Sequence, residues 1–306
     1  MKNRCDGSAY IEMAIVKNDA YIKLHLSILL AGGTGLFGRL ISIGEVPLVC
    51  LRVIIAAVIL AIILKADGKM HRIPTRNMLK IMACGVILAV HWVFYYGSIK
   101  YANVSIGAVC FALVGFFTAL LEPLVARRKP SVRELMLSLL TVAGIAMIFG
   151  FDVRHRTGII IGVLSSLFYT FFSLGSKRVQ ASTGHKSSTM LMYELIGSCV
   201  VLSLATPLYA QVFPDIRIMP TTADWCFLAL FSSVFTIGPF LLLFQALRKI
   251  PAFTVNLSYN LEPVYTILAA MILFNEASEL NASFWVGITL IIASVLLQTK
   301  LSMEKA

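Results

Sequence analysis

Residues 256–266 read Asn-Leu-Ser-Tyr-Asn-Leu-Glu-Pro-Val-Tyr-Thr and lie inside an apolar run from Ala252 to Phe274. The run is long enough to cross a bilayer, which takes about 20 residues. A carboxylate near the middle of such a helix costs about 2.5–3.5 kcal/mol on insertion scales, so we expect Glu262 to face a cavity or a partner. At the α-helical period the polar side chains share one broad face, and aliphatic side chains occupy the other. The polar face holds Asn256, Tyr259, Asn260, Glu262, Pro263 and Thr266.

The proline in this run predicts a local break in the helix. Pro263 has no N–H and clashes with the carbonyl four residues earlier, so the Tyr259 carbonyl is expected to lose its helical partner. In lipid that acceptor needs a donor from protein, water or a ligand. Two interpretations stay open: a binding site at the middle of the membrane, or a kinked seam between helices that is joined by amides. Pro239, in the preceding apolar run, is predicted as a second hinge.

The composition excludes a soluble protein. Of 306 residues, 58% are hydrophobic and only 13% are charged, whereas soluble domains have about 25% charged residues. The six cysteines are scattered without a Cys-x-x-Cys pair or metal spacing, and zinc-protease, nucleophile-elbow and phosphate-loop patterns are absent. We therefore predict a polytopic membrane protein without a metal or cofactor.

Apolar runs predict ten membrane-spanning helices, joined by loops that are mostly too short for a soluble domain. A segment of residues 1–23 precedes them, and a tail of residues 300–306 follows them. The predicted spans are residues 24–43, 47–64, 78–99, 104–126, 134–151, 157–176, 188–210, 224–247, 252–274 and 282–299.

The distribution of basic residues predicts the orientation in the membrane. If the N-terminus is cytoplasmic, the inside segments hold 20 of the 26 Lys and Arg residues and the outside segments hold 5, with Arg52 inside a span. Both termini and the loop 177–187 are therefore predicted to be cytoplasmic, and 152–156 to be outside. The basic excess anchors the inner face of the lipid bilayer, so no nucleic-acid partner is predicted.

A weak internal repeat divides the chain into two halves. An offset of 148 residues pairs Leu113 with Leu261 and Thr118 with Thr266. Five spans per half is an odd number, so the second half must enter the membrane in the inverted orientation, a pattern typical of transporters. The sequence thus predicts an all-α membrane protein built from two inverted five-helix repeats. The predicted repeats are residues 24–151 and 157–299.

Several short motifs accompany this organisation. Arg52 lies in the second span, and Tyr96-Gly97-Ser98-Ile99-Lys100-Tyr101-Ala102 ends the third; Asn260-Leu261-Glu262-Pro263 is followed by Phe274-Asn275-Glu276. Together with ten spans in two halves, these motifs resemble the drug/metabolite transporter superfamily, specifically its EamA-type members, over residues 24–299. The first half departs from the pattern, because Gly115 stands where the second half has its proline. The resemblance implies a ten-helix transporter fold and export of a small solute.

Polar side chains on other spans are candidates to face Glu262. By helical rise, Glu262 lies about 15 Å from the inner face and Arg52 about 22 Å, a gap that an arginine side chain can close. Pairing them, directly or through water, would offset the cost of burying two charges; alternatively, Arg52 snorkels outward to backbone carbonyls. His91 and Tyr95 share a helical face, and His91 is either a cavity ligand and proton carrier or a hydrogen-bonded packing residue. Aromatic residues of the fourth and sixth spans serve either packing or the wall of a solute site.

These observations predict an inner-membrane transporter that moves a small organic metabolite or drug-like solute by alternating access. Export is implied by the resemblance alone; proton antiport and passive uniport both stay open, as does a homodimer. The alternative is a membrane-embedded enzyme acting on a lipid or peptide, with His91 and Glu262 as base and acid, although no nucleophile or metal set accompanies them. The predicted substrate site combines Asn256, Tyr259, Asn260 and Glu262 with Arg52, His91 and Tyr95 opposite.

Overall fold

Helices account for almost all of the residues that the computed structural model describes, which are 5–69, 72–127, 129, 131–151, 154–247, 258–278 and 280–303. No β-strand occurs within those ranges. A π-helical segment, Ser233–Ile237, joins α9 to α10, and 3-10 turns, Tyr259–Leu261 and Glu276–Ser278, flank α11. The α-helices in chain order are α1 (Cys5–Leu40), α2 (Glu45–Ala66), α3 (Thr75–Tyr101), α4 (Val104–Phe111), α5 (Val114–Ala126), α6 (Val132–Phe151), α7 (Arg156–Thr183), α8 (Ser187–Val212), α9 (Thr222–Ser232), α10 (Gly238–Leu247), α11 (Glu262–Phe274) and α12 (Ala282–Met303).

The prediction of an all-α protein with ten membrane-spanning segments is confirmed. Among the described residues, 7 helical segments are long and apolar enough to cross a membrane, with α4 joined to α5 and α9 to α10. Three shorter apolar helices, Leu135–Ile148, Glu262–Phe274 and Ala282–Ser294, occupy the remaining predicted positions. The first helix begins earlier than predicted, because α1 extends back to Cys5 through the segment expected to precede the membrane.

The α-helix is interrupted in the fourth span and in the described part of the ninth. In the fourth, a turn at Ala112 and Leu113 separates α4 from α5. In the ninth, the 3-10 turn Tyr259–Leu261 precedes α11. The offset of 148 residues pairs Leu113 with Leu261, so the two breaks fall at corresponding positions of the two halves. Broken helices that meet near the centre of the membrane are typical of transporters built from repeats.

Pro263 keeps its hinge role as a prediction, because residues 248–257 lie outside the described part of the chain. It lies in the first turn of α11, where a missing N–H leaves no helical hydrogen bond unmade. The Tyr259 carbonyl accepts a hydrogen bond from the Glu262 N–H, so the donor that this acceptor was predicted to need comes from the protein itself. The tighter i to i+3 geometry of the 3-10 turn supplies the donor one residue before the proline.

The charge pattern assigns alternate helix junctions to the outside. These junctions lie together at one end of the bundle, which we call the predicted outer end. At the opposite end, Asn77 lies 3.3 Å from the His185 ring, so the junctions alternate between the two ends as successive spans require. Hydrogen bonds at the predicted outer end join Lys100 to Ile41, Ser42 to Asp224, Gly44 to Arg217 and Val104 to Glu276.

Small residues allow α3 and α8 to pack with their backbones in contact. A Cβ on Gly85 would overlap the backbone of Glu194, and a Cβ on Gly197 would overlap the backbone of Met82. Ser198 donates to the Gly85 carbonyl at 2.6 Å. Within lipid, where apolar side chains gain little by leaving the solvent, such close packing and interhelical hydrogen bonds hold helices together.

A buried carboxylate joins the two halves at the predicted outer end. Asn275 ends α11 in the left-handed conformation, with φ 55°, and the next residue, Glu276, is 0% exposed. Its oxygens accept from the Val104 N–H at 3.0 Å, from the Ser105 N–H and hydroxyl at 2.8 and 2.6 Å, and from Arg39 at 2.8 Å. The free N–H groups and the positive dipole end at the start of α4 stabilise this negative charge.

Candidate functional site

A cavity lies between the two halves at the level of the helix breaks. Its volume is about 110 Å³, which is room for about eight water molecules. Residues from α1 to α4 line one side, and residues from α7, α10 and the start of α11 line the other. The polar lining residues include Thr34, Arg52, His91, Tyr95, Tyr259 and Glu262, and the aromatic walls include Trp92, Phe111, Tyr169 and Phe172.

Arg52 is held between aromatic rings and hydroxyl groups. Its guanidinium carbon lies 4.5 Å from the centroid of the Trp92 ring and 4.2 Å from that of Phe231. Nε donates to the Thr236 hydroxyl and Nη1 to the Tyr96 hydroxyl, both at 2.9 Å. A cation over a ring gains about 2 kcal/mol when the site is desolvated. The rings and hydroxyls therefore stabilise the buried charge without an acidic side chain.

The predicted direct pair of Arg52 with Glu262 does not form. Both side chains line the cavity, but the ion pairs in the described part of the chain do not join them. The alternative of outward snorkelling is also wrong, because Arg52 is 3% exposed and bonds side-chain hydroxyls instead of backbone carbonyls. Both predictions omit the aromatic rings of α3 and α9 that flank the guanidinium.

A π-helical turn brings Thr236 to Arg52. Within Ser233–Ile237 the backbone hydrogen bonds join groups five residues apart, as in a π-helix. The Thr236 hydroxyl donates a hydrogen bond to the Phe231 carbonyl at 2.9 Å. The Thr236 oxygen then has lone pairs left to accept from Arg52. Pro239, the predicted hinge, follows directly and cannot donate to an ordinary helical ladder. Single π turns inside helices are frequently found at functional sites.

Glu262 places a carboxylate in the cavity without a partner from the described protein. It occupies the first position of α11, and its side chain forms neither a hydrogen bond nor an ion pair with a described residue. The backbone beneath it is fixed, because the Thr266 hydroxyl donates to the Gly32 carbonyl of α1 at 2.8 Å. A mid-membrane carboxylate in this position must be stabilised by a proton, water or a ligand.

His91 is anchored by α7 and still lines the cavity. Its Nδ1 lies 3.0 Å from the Ser165 carbonyl, which can only accept, so the proton is assigned to Nδ1 and Nε2 is an acceptor in the neutral ring. The rings of Tyr169 and Phe111 pack against it at 4.9 and 5.5 Å. His91 is thus hydrogen-bonded and packed, and it also lines the cavity, while its role as a ligand or proton carrier stays a prediction. Tyr95 lies beside it, with ring centroids 6.0 Å apart.

Tyr259 links the cavity wall to α1 and α10. Its hydroxyl lies 2.6 Å from that of Ser27, and Ser27 donates to the Pro239 carbonyl at 2.7 Å, so Tyr259 is the donor to Ser27. Asn256 lies outside the described residues, as does the side chain of Asn260. Five of the seven predicted site residues thus meet at one cavity, while the role of all seven in binding stays a prediction.

It was not predicted from the sequence that Trp92, Tyr96, Phe231 and Thr236 hold Arg52. Trp92 and Tyr96 are four residues apart and lie one position beyond His91 and Tyr95, so they share a neighbouring face of the same helix. That spacing was a readable signal. Thr236 was harder to find, because its position depends on the π turn that precedes Gly-Pro.

A family model extends over both halves of the chain. The model of the EamA-like transporter family matches residues 20–150 and, a second time, residues 156–299. The chain belongs to the EamA-like transporter family. Its membership confirms the resemblance and makes the protein a multi-pass membrane transporter whose two halves are copies of one unit.

Relatives of this EamA-like transporter agree along most of its length. It is 25% identical over 289 residues to the "Uncharacterized transporter YxxF" of Bacillus subtilis (strain 168), a match covering 92% of this chain and 89% of that protein. A solved crystal structure with 16% sequence identity covers 94% of this chain and 98% of its own, with a TM-score of 0.64. At that identity the structural likeness concerns the fold alone.

Proposed function

We propose that this EamA-like transporter moves a small organic metabolite or drug-like solute across the plasma (inner) membrane by alternating access, with the cavity as its binding site. The observation that carries the proposal is the Glu262 carboxylate, which faces the cavity without a described protein partner. The buried carboxylate of Glu276 provides the contrast, since four donors bond it. A carboxylate with a purely structural role is expected to accept hydrogen bonds from the protein, as Glu276 does. A carboxylate that binds a proton or a solute is expected to lack such partners, as Glu262 does.

Further parts of the proposal concern direction and coupling. The cavity walls come from both repeats, so movement of one repeat against the other would alter access to it. Cytoplasmic termini are supported by the distribution of basic residues, 20 inside and 5 outside. Export is supported by resemblance to the family. Proton coupling is supported by a titratable carboxylate in the cavity, and passive uniport is the competing outcome. The proposed activity is transport rather than catalysis.

The test has two stages. A thermal-shift screen of purified protein against amino acids, amines, sugars and drugs should identify a stabilising ligand, whose flux is then measured in proteoliposomes. Glu262→Gln keeps the shape and removes the titratable charge; we expect flux to fall 10-fold or more, which corresponds to about 1.4 kcal/mol. The remaining flux should lose its dependence on a pH gradient.

A matched control separates charge removal at the cavity from charge removal elsewhere. Glu122→Gln changes a carboxylate that pairs with Lys177 at 3.0 Å near the opposite end from Glu276, and we expect it to retain flux. Wild-type flux with an unchanged pH profile in Glu262→Gln would reject a functional role for the carboxylate.

A further inference from the structure

Arg52 brings a permanent positive charge into the cavity, and no carboxylate of the described residues forms an ion pair with it. Arginine stays protonated in proteins. Glu262 differs, because a carboxylate in an apolar site can become neutral by binding a proton. The cavity therefore has one charge that protonation can remove and one that it cannot. The permanent charge of Arg52 is therefore expected to bind a counter-ion.

The geometry leaves one side of the guanidinium for a ligand. Trp92 and Phe231 cover its faces, while Nε and Nη1 are bound to the Thr236 and Tyr96 hydroxyls. The other terminal nitrogen, Nη2, has no hydrogen-bond partner among the described residues and is not sealed from the cavity. Because the other contacts fix the plane of the group, the free edge is already oriented. Nη2 can therefore donate a charge-assisted hydrogen bond to a carboxylate oxygen.

Charge and size narrow the ligand further. One fixed cation balances one negative charge, so a dianion such as a phosphate ester would bring an unbalanced charge into the membrane. The walls beyond Arg52 are rings, among them Phe111, Tyr169 and Phe172. A volume of about 110 Å³ corresponds to about eight water molecules, and hence to a solute of similar heavy-atom count.

We propose that the cavity binds a small organic monoanion, with its carboxylate on the free edge of Arg52 and its apolar or aromatic body against the rings of α4 and α7. This inference rests on the proposed function, because it names the solute class of the same cavity. Glu262 does not bind the solute's charge in this arrangement. A bound proton removes the repulsion that Glu262 would otherwise exert on the anion.

Three probes of one shape test the charge requirement. Benzoate, benzamide and benzylamine share a ring and differ in carrying a negative, neutral or positive group. Binding to purified wild-type protein can be followed by tryptophan fluorescence, since Trp92 contacts Arg52. We expect benzoate to bind with a Kd at least 10-fold below those of the other two. Equal binding of benzamide, or tighter binding of benzylamine, would overturn the inference without any variant.

Variants locate the binding at Arg52. Arg52→Gln should raise the Kd of benzoate at least 10-fold and leave that of benzamide unchanged. The matched control is Arg178→Gln, an exposed arginine on α7, which should leave both unchanged. If Arg52→Gln does not fold, Thr236→Val removes one hydroxyl that orients the guanidinium, and a rise of about 3-fold or more is expected for benzoate alone. Unchanged benzoate affinity in the folded variants would place the anion elsewhere and reject the inference.

Flux distinguishes this inference from the proposed function. Benzoate that binds through Arg52 but is not moved in proteoliposomes would support the anion subsite and count against transport of this class. Flux of another solute that depends on Glu262, without Arg52-dependent binding of benzoate, would overturn the inference and leave the proposed function intact.

Discussion

Replacing Glu276 should destabilise the protein more than replacing Arg39, although the two residues form one ion pair. In Glu276→Ala, the Val104 N–H and both Ser105 donors lose their acceptor at a position that is 0% exposed. Each buried donor left without a partner costs about 1–3 kcal/mol. Three such donors sum to about 3–9 kcal/mol, so the expected loss is at least about 3 kcal/mol.

The partner in the same ion pair should matter much less. The Arg39 side chain is 37% exposed, and pairs with an exposed partner contribute about 0–1 kcal/mol. In Arg39→Gln the three donors from the start of α4 still reach the Glu276 carboxylate. The loss of stability in Glu276→Gln should lie between those of Glu276→Ala and Arg39→Gln. The amide oxygen of glutamine can still accept a hydrogen bond, but its NH₂ group would face another donor.

The assay is the fraction of monodisperse protein that remains after heating in detergent. This gives an apparent melting temperature suited to irreversible unfolding. Glu122→Ala is the matched control, because its partner Lys177 is 71% exposed and little loss is expected. If Glu276→Ala melts no lower than Arg39→Gln, the cluster is hydrated and the reasoning from buried donors is refuted.

Three further predictions concern packing, orientation and the cavity. Gly85→Val should abolish the folded peak in size-exclusion chromatography, because its side chain would overlap the backbone of α8; a normal yield would mean that α3 and α8 separate more easily than the contact implies. In a background without native cysteines, a cysteine at Arg154 should react with an impermeant reagent on intact cells and one at Gln180 should not, since the positive-inside rule assigns them to opposite sides; the reverse pattern would invert the topology. In a double-mutant cycle at acidic pH, where Glu262 holds a proton, neutralising Arg52 and Glu262 should give stability losses that add within about 0.5 kcal/mol, because only one of the two is then charged; a larger coupling would indicate a direct contact.

Much of the fold was predictable because its determinants act locally. The length of an apolar run decides whether a helix can cross the membrane, and the break in the ninth span carries its own signal. That signal is Pro263, whereas the turn in the fourth span, near Gly115, was not predicted. What the proline rule missed was the 3-10 turn, which gives the Tyr259 carbonyl a donor.

The cavity was predictable only in outline. Polar residues on the apolar helices must avoid lipid, so Arg52, His91, Tyr95, Tyr259 and Glu262 were all expected to face inward, and they line one cavity. Their partners were not predictable, since an inward direction does not specify a neighbour. The pairing of Arg52 with Glu262 was inferred only from their depths in the membrane. Two residues at similar depth can still point in different directions within the bundle.

The sequence by itself determined the membrane-spanning segments, the repeat and the residues that must avoid lipid, because these follow from polarity and spacing along one chain. Only the tertiary structure decided how each buried charge is stabilised. Glu276 meets the N-terminus of α4 across 171 residues of sequence, and Arg52 meets Thr236 across 184. Hydrogen bonds act over about 3 Å, so such partners are settled by how the helices pack and by a single π turn.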